Sequence, residues 1–176
     1  MKKRSVRGLV LTGLIAGLYV VLTLPFGQIA FGPIQFRLAE VLTLLPFFTP
    51  WAIPGCTIGC LLSNLLFSTP LDVVVGTAAT LIAAYLTYKC KWLLLAPLPP
   101  ILANGLMIGG LLTYLSTGSF SWSVFALLGL EVAASEFVVC FAIGVPFMRM
   151  LKHYKLDRFF SEERLQEAPF ARKKRY

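Results

Sequence analysis

The stretch Gly32–Pro46, GPIQFRLAEVLTLLP, places Gln35, Arg37 and Glu40 at the start of a long apolar run. Hydrophobic residues make up 57% of the 176 residues, charged residues make up only 14%, and the mean hydropathy is +0.78. This composition is too apolar for a soluble domain of such length, and it predicts an integral membrane protein. Charged side chains inside a membrane cost roughly 2.5–3.5 kcal/mol each on insertion scales, so this polar group needs a partner or a ligand.

Breaks rich in proline, serine and lysine divide the chain into apolar stretches close to the ~20 residues that a membrane-spanning helix requires. We therefore predict an all-α integral membrane protein, a bundle of six transmembrane helices. Their predicted bounds are about 8–24, 36–48, 52–67, 72–88, 97–115 and 123–150. The second helix is short on this scale, so it either tilts little or begins inside the membrane. Residues 1–150 then form one transmembrane domain, and residues 151–176 form a basic tail.

The positive charges fix the expected orientation, because Lys and Arg near the ends of spans stay cytoplasmic. With six spans, the segment Lys2–Arg4, the pair Lys89/Lys91 and the tail from Arg149 onward all fall on one side. Both termini are therefore predicted to be cytoplasmic, in a multi-pass protein of the plasma membrane. The net charge of +8 follows from this topology and from attraction to the anionic inner leaflet, so we expect no nucleic-acid partner.

Catalytic and metal-binding patterns are missing from the sequence. The four cysteines form no CxxC motif, and the single histidine, His153, lies in the tail. We predict no metal site, no cofactor and no disulfide. We also predict no enzymatic activity, since there is neither a Ser/His pair nor a nucleophile elbow.

Small residues on the first helix include Gly13 and Gly17, a spacing that lets another helix approach the backbone closely. The approaching helix belongs either to this protein or to a partner. The same spacing recurs at Gly55/Gly59 and Gly105/Gly109.

A short set of polar side chains lies within the predicted spans or at their outer rim. The set consists of Gln35, Arg37, Glu40, Asn64, Asp72, Asn104, Glu131 and Glu136. With six spans these residues can converge on a pocket open to the outside. Because carboxylates outnumber the arginine, the pocket favours a ligand with several N–H donors or a cationic amine. A flat heterocycle with an amidine-like edge suits a carboxylate especially well, since two parallel N–H groups meet two oxygens.

Each polar residue also has a structural interpretation. Arg37 and Glu40 are three residues apart on a helix, so they either pair with each other or contact a ligand. Asp72 is interpreted as a helix N-cap in preference to a ligand residue. Asn64 and Asn104 either bridge helices or line the pocket, and bridging is favoured for Asn64.

Glu131 and Glu136 are five residues apart, which separates them by about 140° around a helix with 3.6 residues per turn. We therefore expect only one of the two glutamates to line the pocket. The other pairs with a neighbour or is protonated.

Five separated motifs together resemble the queuosine-precursor transporter family, QueT, in their order and spacing. They are GPIQFRLAEVLTLLP (Gly32–Pro46), GCTIGCLLSN (Gly55–Asn64), DVVVGTAATLIAA (Asp72–Ala84), PLPPILANG (Pro97–Gly105) and EFVVCFAIGVP (Glu136–Pro146). The resemblance covers nearly the whole membrane portion of the chain.

This resemblance implies an S component, the substrate-binding subunit of an energy-coupling factor (ECF) importer. Such a six-helix bundle captures a deazaguanine precursor of queuosine outside the cell and docks on a shared membrane T component driven by two ABC ATPase subunits. Gly13 and Gly17 correspond to the docking surface, with glycines in place of the Ala-x-x-x-Ala of other S components. The chain carries no Walker motif, so its partners must hydrolyse the ATP.

For the substrate site, the resemblance implies that Glu136 contacts the guanine-like N–H edge and that Glu40 or Asp72 contacts an exocyclic amine. The remaining pocket residues are Gln35, Arg37, Asn64 and Asn104. The ligand is the aminomethyl base, the cyano base or queuine, and either 25–35 or 116–122 closes over it. The alternatives are a proton-coupled carrier using Glu131 or Glu136 and, with less support, an intramembrane enzyme.

Overall fold

The computed structural model describes residues 2–26 and 37–156, and all regular secondary structure in these ranges is helical. Its helices are α1 (Lys2–Thr23), α2 (Leu38–Phe47), α3 (Ala52–Phe67), α4 (Pro70–Lys89), α5 (Leu98–Thr117), α6 (Trp122–Phe137) and α7 (Val145–His153). A π-helical turn, Val138–Gly144, connects α6 to α7 without a break. Short 3₁₀ turns lie at Leu24–Phe26 and Leu93–Leu95.

The predicted helices are all present within the described ranges, and most of their ends agree to within a few residues. The exceptions are α1, which begins at Lys2, and the sixth predicted helix, which corresponds to α6, the π-helical turn and α7 together. Four stretches are long and apolar enough to cross a membrane: Val6–Thr23, Pro70–Lys89, Leu93–Thr117 and Trp122–His153. The all-helical membrane fold is confirmed, whereas the count of six spans and the side of each terminus stay predictions. The tail from 157 onward lies outside the described residues.

Helix α2 explains why one predicted span is so short. Its ten residues wind as a 3₁₀ helix, at about 2 Å per residue, and so reach only about 20 Å of the ~30 Å hydrocarbon layer. Every residue from Ala39 to Phe47 is buried. Because the backbone of α2 faces protein, the short length and the internal Pro46 are tolerated at membrane depth.

The other helices surround α2. Helices α1, α3, α4, α5 and α6 pack one against the next in that order, and α2 packs against α1, α3, α4 and the π-helical turn. The hydrophobic core joins α2 to Ile15 and Tyr19 of α1, to Cys56 of α3 and to Met148 of α7. Residues at the start of α2 therefore reach the centre of the bundle.

Two helix interfaces depend on glycines that allow close backbone approach. A Cβ atom on Gly59 of α3 would lie 2.5 Å from the Cβ atom of Tyr19, and one on Gly55 would lie 2.9 Å from the Cβ atom of Ile15. Between α5 and α6, a Cβ atom on Gly109 would lie 2.5 Å from the Cα atom of Gly129. These glycines bring α1 against α3 and α5 against α6.

Candidate functional site

The start of α2 and the start of α4 meet through a buried ion pair. Nη2 of Arg37 lies 3.0 Å from Oδ2 of Asp72, and these side chains are 5% and 6% exposed. The Ser68 hydroxyl donates to the same Asp72 oxygen. Asp72 is therefore the acidic partner of Arg37, while Glu40 has other partners.

The interpretation of Asp72 as the N-cap of α4 is wrong. Thr69 is the N-cap, and its Oγ1 atom accepts from the backbone N–H of Asp72 at 3.4 Å. Pro70 takes the first helical position, where its missing N–H costs nothing, so the cap falls on the preceding residue. Asp72 is thus the third residue of α4, within its first turn, and its side chain contacts Arg37.

Asn64 joins α3 to α4 beside this ion pair. Its Nδ2 group donates to the backbone carbonyl of Asp72 at 3.2 Å and to Sγ of Cys60 at 3.4 Å. A Cβ atom on Gly76 would lie 2.8 Å from Nδ2 of Asn64, 2.9 Å from Oδ1 of Asp72 and 3.6 Å from Nη1 of Arg37. The bridging role favoured for Asn64 is therefore present, and Gly76 provides the space in which the three polar side chains meet.

Glu40 is fully buried and is held by α1 and α4. The Tyr19 hydroxyl donates to Oε1 of Glu40 at 2.5 Å, and the Thr80 hydroxyl donates to the same oxygen at 3.5 Å. The sequence left open whether Arg37 and Glu40 pair with each other or contact a ligand. In the structure Arg37 forms an ion pair with Asp72, and Glu40 accepts hydrogen bonds from hydroxyl groups. Glu40 thereby connects three helices.

Asn104 and Glu136 form a second polar pair, between α5 and α6. Nδ2 of Asn104 donates to Oε1 of Glu136 at 2.9 Å, and the Cys140 thiol donates to Oε2 at 3.6 Å. Glu136 is 3% exposed, whereas Glu131 is only partly buried. This difference agrees with the angular separation expected of the two glutamates.

The two polar groups face the same interior. The carboxyl group of Glu136 lies within electrostatic range of both Glu40 and Arg37. Helix α2 also packs against the π-helical turn that follows Glu136. The bundle centre therefore brings together six predicted site residues: Arg37, Glu40, Asn64, Asp72, Asn104 and Glu136.

Several buried oxygen atoms in this interior have no hydrogen-bond partner among the described residues. They are Oε2 of Glu40, Oδ1 of Asn64, Oδ1 of Asp72 and Oδ1 of Asn104. A buried polar atom left unsatisfied costs about 1–3 kcal/mol, so such atoms concentrated at one place call for an explanation. Because the carboxylate and amide oxygens are acceptors, the arrangement is suited to a ligand rich in N–H donors.

The other predicted residues divide into exposed and undescribed positions. Gly13 and Gly17 lie on the outer surface of α1, and a Cβ atom on either would meet no described atom of another helix within 4 Å. Gln35 and most of the loop 25–35 lie outside the described residues.

Sequence reasoning missed three contributors to the site: Tyr19, Gly76 and Thr80. Tyr19 is one of few polar residues in the apolar part of α1, and its 2% exposure shows that the hydroxyl is directed inward. Gly76 and Thr80 lie one and two turns after Asp72 on the same face of α4. This four-residue spacing is the sequence feature that could have identified Gly76 and Thr80 as neighbours of Asp72.

Comparison with known proteins gives one family and one relative. The family model described as QueT transporter matches residues 9–153, a range that contains all the predicted site and docking residues. The queuosine precursor transporter QueT of Lactococcus lactis subsp. cremoris (strain MG1363) is 44% identical over 84 residues, which are 47% of this chain and 50% of that protein. The chain thus aligns with about half the length of this curated relative. No solved structure matches the chain significantly.

Proposed function

The chain belongs to the QueT transporter family and is a multi-pass plasma-membrane protein, and from this premise we propose that it binds a queuosine precursor for import. The family consists of transporters, in agreement with the prediction that the chain is not an enzyme. The proposed role is that of the S component of an ECF importer. In that role the chain captures a 7-deazaguanine base, and partner subunits supply the energy.

The observation that carries the substrate proposal is the set of buried acceptor oxygens at the bundle centre that have no hydrogen-bond partner among residues 2–26 and 37–156. A deazaguanine presents a ring N–H and an exocyclic amine side by side, and a carboxylate accepts from such an edge with two parallel bonds. Glu136 is proposed to take this edge: Asn104 and Cys140 each donate to one of its oxygens, at 2.9 Å and 3.6 Å, and each carboxylate oxygen keeps a second lone pair for the ligand. Glu40 or Asp72 takes an exocyclic amine, and the remaining site residues, Gln35, Arg37 and Asn64, complete the pocket.

The partner proposal rests on the outward glycine pair of α1. Small residues at helix interfaces let two backbones approach closely inside a bilayer, where hydrophobicity does not drive association. Gly13 and Gly17 leave such a surface open on the outside of the protein. A membrane T component is the proposed partner there, with two ABC ATPase subunits bound to it.

The proposed topology has six spans with both termini in the cytoplasm. Arg7, Lys89, Lys91 and Arg149 then lie on the cytoplasmic side, as the positive-inside rule requires. Helix α2 is too short to cross the hydrocarbon layer. It can end within this layer because α1, α3 and α4 shield its backbone from lipid. Residues 1–150 form the proposed substrate-binding domain, and residues 151–176 form the basic tail, whose charge favours the anionic leaflet.

The test of the substrate is equilibrium binding to the detergent-purified chain. The aminomethyl base, the cyano base and queuine are compared, with guanine and riboflavin as controls. We expect tight binding of one deazaguanine and no binding of riboflavin. Binding of none of the three bases would overturn the substrate proposal, whatever the partner subunits do.

The test of the importer role is co-expression with a T component and two ATPase subunits, followed by purification and by uptake into vesicles. We expect one complex to purify and uptake to require ATP. Uptake by this chain alone, dependent on a proton gradient, would instead identify a proton-coupled carrier acting through Glu131 or Glu136.

A further inference from the structure

A groove of about 580 Å³ lies on the surface between α4 and α5, lined by none of the proposed substrate-site residues. Apolar side chains form almost all of its walls. The principal ones are Ile82 and Leu86 of α4, and Leu98, Leu102 and Leu106 of α5. These side chains are between 40% and 60% exposed, so a broad apolar surface is left uncovered by the protein itself.

The length of the groove matches one leaflet of a bilayer. Leu98, Leu102 and Leu106 repeat every four residues and extend over about 12 Å of helix at 1.5 Å per residue. On the facing wall, Ile82 and Lys89 are about 10 Å apart along α4 by the same rise. One leaflet contributes about 15 Å of the ~30 Å hydrocarbon layer. The groove therefore has room for a chain lying along the membrane normal in a single leaflet.

One end of the groove is basic. Lys89, the last residue of α4, lines the groove, and its Nζ atom lies 5.3 Å from the ring centre of Tyr85 and 5.6 Å from that of Tyr88. Trp92, 70% exposed, follows three residues later. Lysine, tyrosine and tryptophan together are typical of the membrane–water interface, where lipid headgroups lie.

The walls do not neutralise this positive charge. Between Asp72 and Glu131 the sequence contains no aspartate or glutamate, so α5 and the part of α4 that follows Asp72 supply no carboxyl group. An anion is therefore the complementary partner for Lys89 at the end of an otherwise apolar groove.

We propose that this groove binds an anionic phospholipid, with one acyl chain between α4 and α5 and the phosphate-bearing headgroup against Lys89. A membrane helix is a poorer fit, because the groove is walled by Leu and Ile where helix docking favours small residues. A polar metabolite is also a poorer fit, because the apolar walls offer it no hydrogen-bonding side chain beyond the basic end.

The test is native mass spectrometry of the purified chain with phosphatidylglycerol and phosphatidylcholine that carry identical acyl chains. We expect phosphatidylglycerol to be retained roughly fivefold more than phosphatidylcholine, the preference that one lysine near a headgroup typically gives. Lys89→Gln should remove this preference. Lys91→Gln is the control: it removes an equal charge beside the groove, and the preference for phosphatidylglycerol should remain. Equal retention of the two lipids, or equal effects of the two lysine variants, would overturn the proposal.

A second pair of variants tests the acyl-chain part. Leu106→Trp fills the groove, and Leu65→Trp is its control on α3, since both leucines are 60% exposed. Only Leu106→Trp should lower retention of both lipids, and deazaguanine binding should not change in either variant. If Leu106→Trp leaves lipid retention unchanged and instead breaks a dimer or a partner complex, the groove docks a protein helix and the lipid assignment is wrong.

Discussion

Two glycine pairs with identical spacing behave in opposite ways in this protein. Gly55 and Gly59 of α3 press against α1, so that a Cβ atom on either would come within 3 Å of an α1 side chain. Gly13 and Gly17 of α1 face outward, and among the described residues no other helix comes within 4 Å of a Cβ atom on either. The spacing predicts that another helix can approach each pair closely, but the orientation of the helix decides whether that neighbour is internal or a partner.

The largest effect is expected from filling the internal pair. Gly59→Leu would force the side chain into Tyr19 and the backbone carbonyl of Ala16, and overpacking by even one or two methylene groups typically costs about 1–3 kcal/mol. We expect no monodisperse protein in fluorescence-detected size-exclusion chromatography. A well-folded Gly59→Leu protein would show that the α1–α3 contact is wrong.

The outward pair should respond in the opposite manner. With Gly13→Leu and Gly17→Leu combined, we expect a folded chain that binds the deazaguanine as wild type does, because neither position contacts the interior. Co-purification with the T component should fall at least tenfold, since the backbones can no longer approach. Undiminished complex formation would move the docking surface away from this face of α1.

Glu131 and Glu136 provide a similar comparison at the substrate site, since only Glu136 of the two is buried. Glu136→Gln keeps an oxygen for Asn104 but loses the charge, and hydrogen bonds to charged groups are worth about 1.5–3 kcal/mol. We expect affinity to fall by roughly 10- to 150-fold in equilibrium binding. Glu131→Gln is the control, and its affinity should stay within about threefold of wild type. Equal losses in both variants would contradict the separate environments of the two glutamates.

The smallest predicted effect concerns the inner face of α1. Tyr19→Phe removes the hydroxyl that donates to Glu40 and leaves the packing against Gly59 intact. Oε1 of Glu40 then keeps only the longer bond from Thr80, and the loss of one hydrogen bond typically costs about 0.5–1.5 kcal/mol, which should appear as a lower melting temperature in detergent. Tyr114→Phe, at a position 56% exposed, should leave the melting temperature unchanged. If the two variants melt alike, the Tyr19–Glu40 bond does not stabilise the fold.

The sequence identified some residues of the candidate site because charged side chains are energetically costly inside a membrane. Arg37, Glu40 and Glu136 were recognisable because charged side chains in apolar runs must find partners. Their partners were not recognisable, because Arg37 pairs with Asp72, 35 residues away, and Glu40 pairs with Tyr19, 21 residues away. Local spacing allowed an Arg37–Glu40 pair, and the packing of α2 between α1 and α4 determined the contacts that formed.

The sequence by itself determined the membrane class, the bounds of most helices and the short length of α2, because these depend on local hydrophobicity and on breaks between apolar runs. Only the tertiary structure decided that Arg37 pairs with Asp72, that α2 is wound tightly at the bundle centre, and that Gly13 and Gly17 face outward. These features depend on which helices become neighbours. Helix packing sets that arrangement through contacts between residues far apart in the chain, and hydropathy does not encode it.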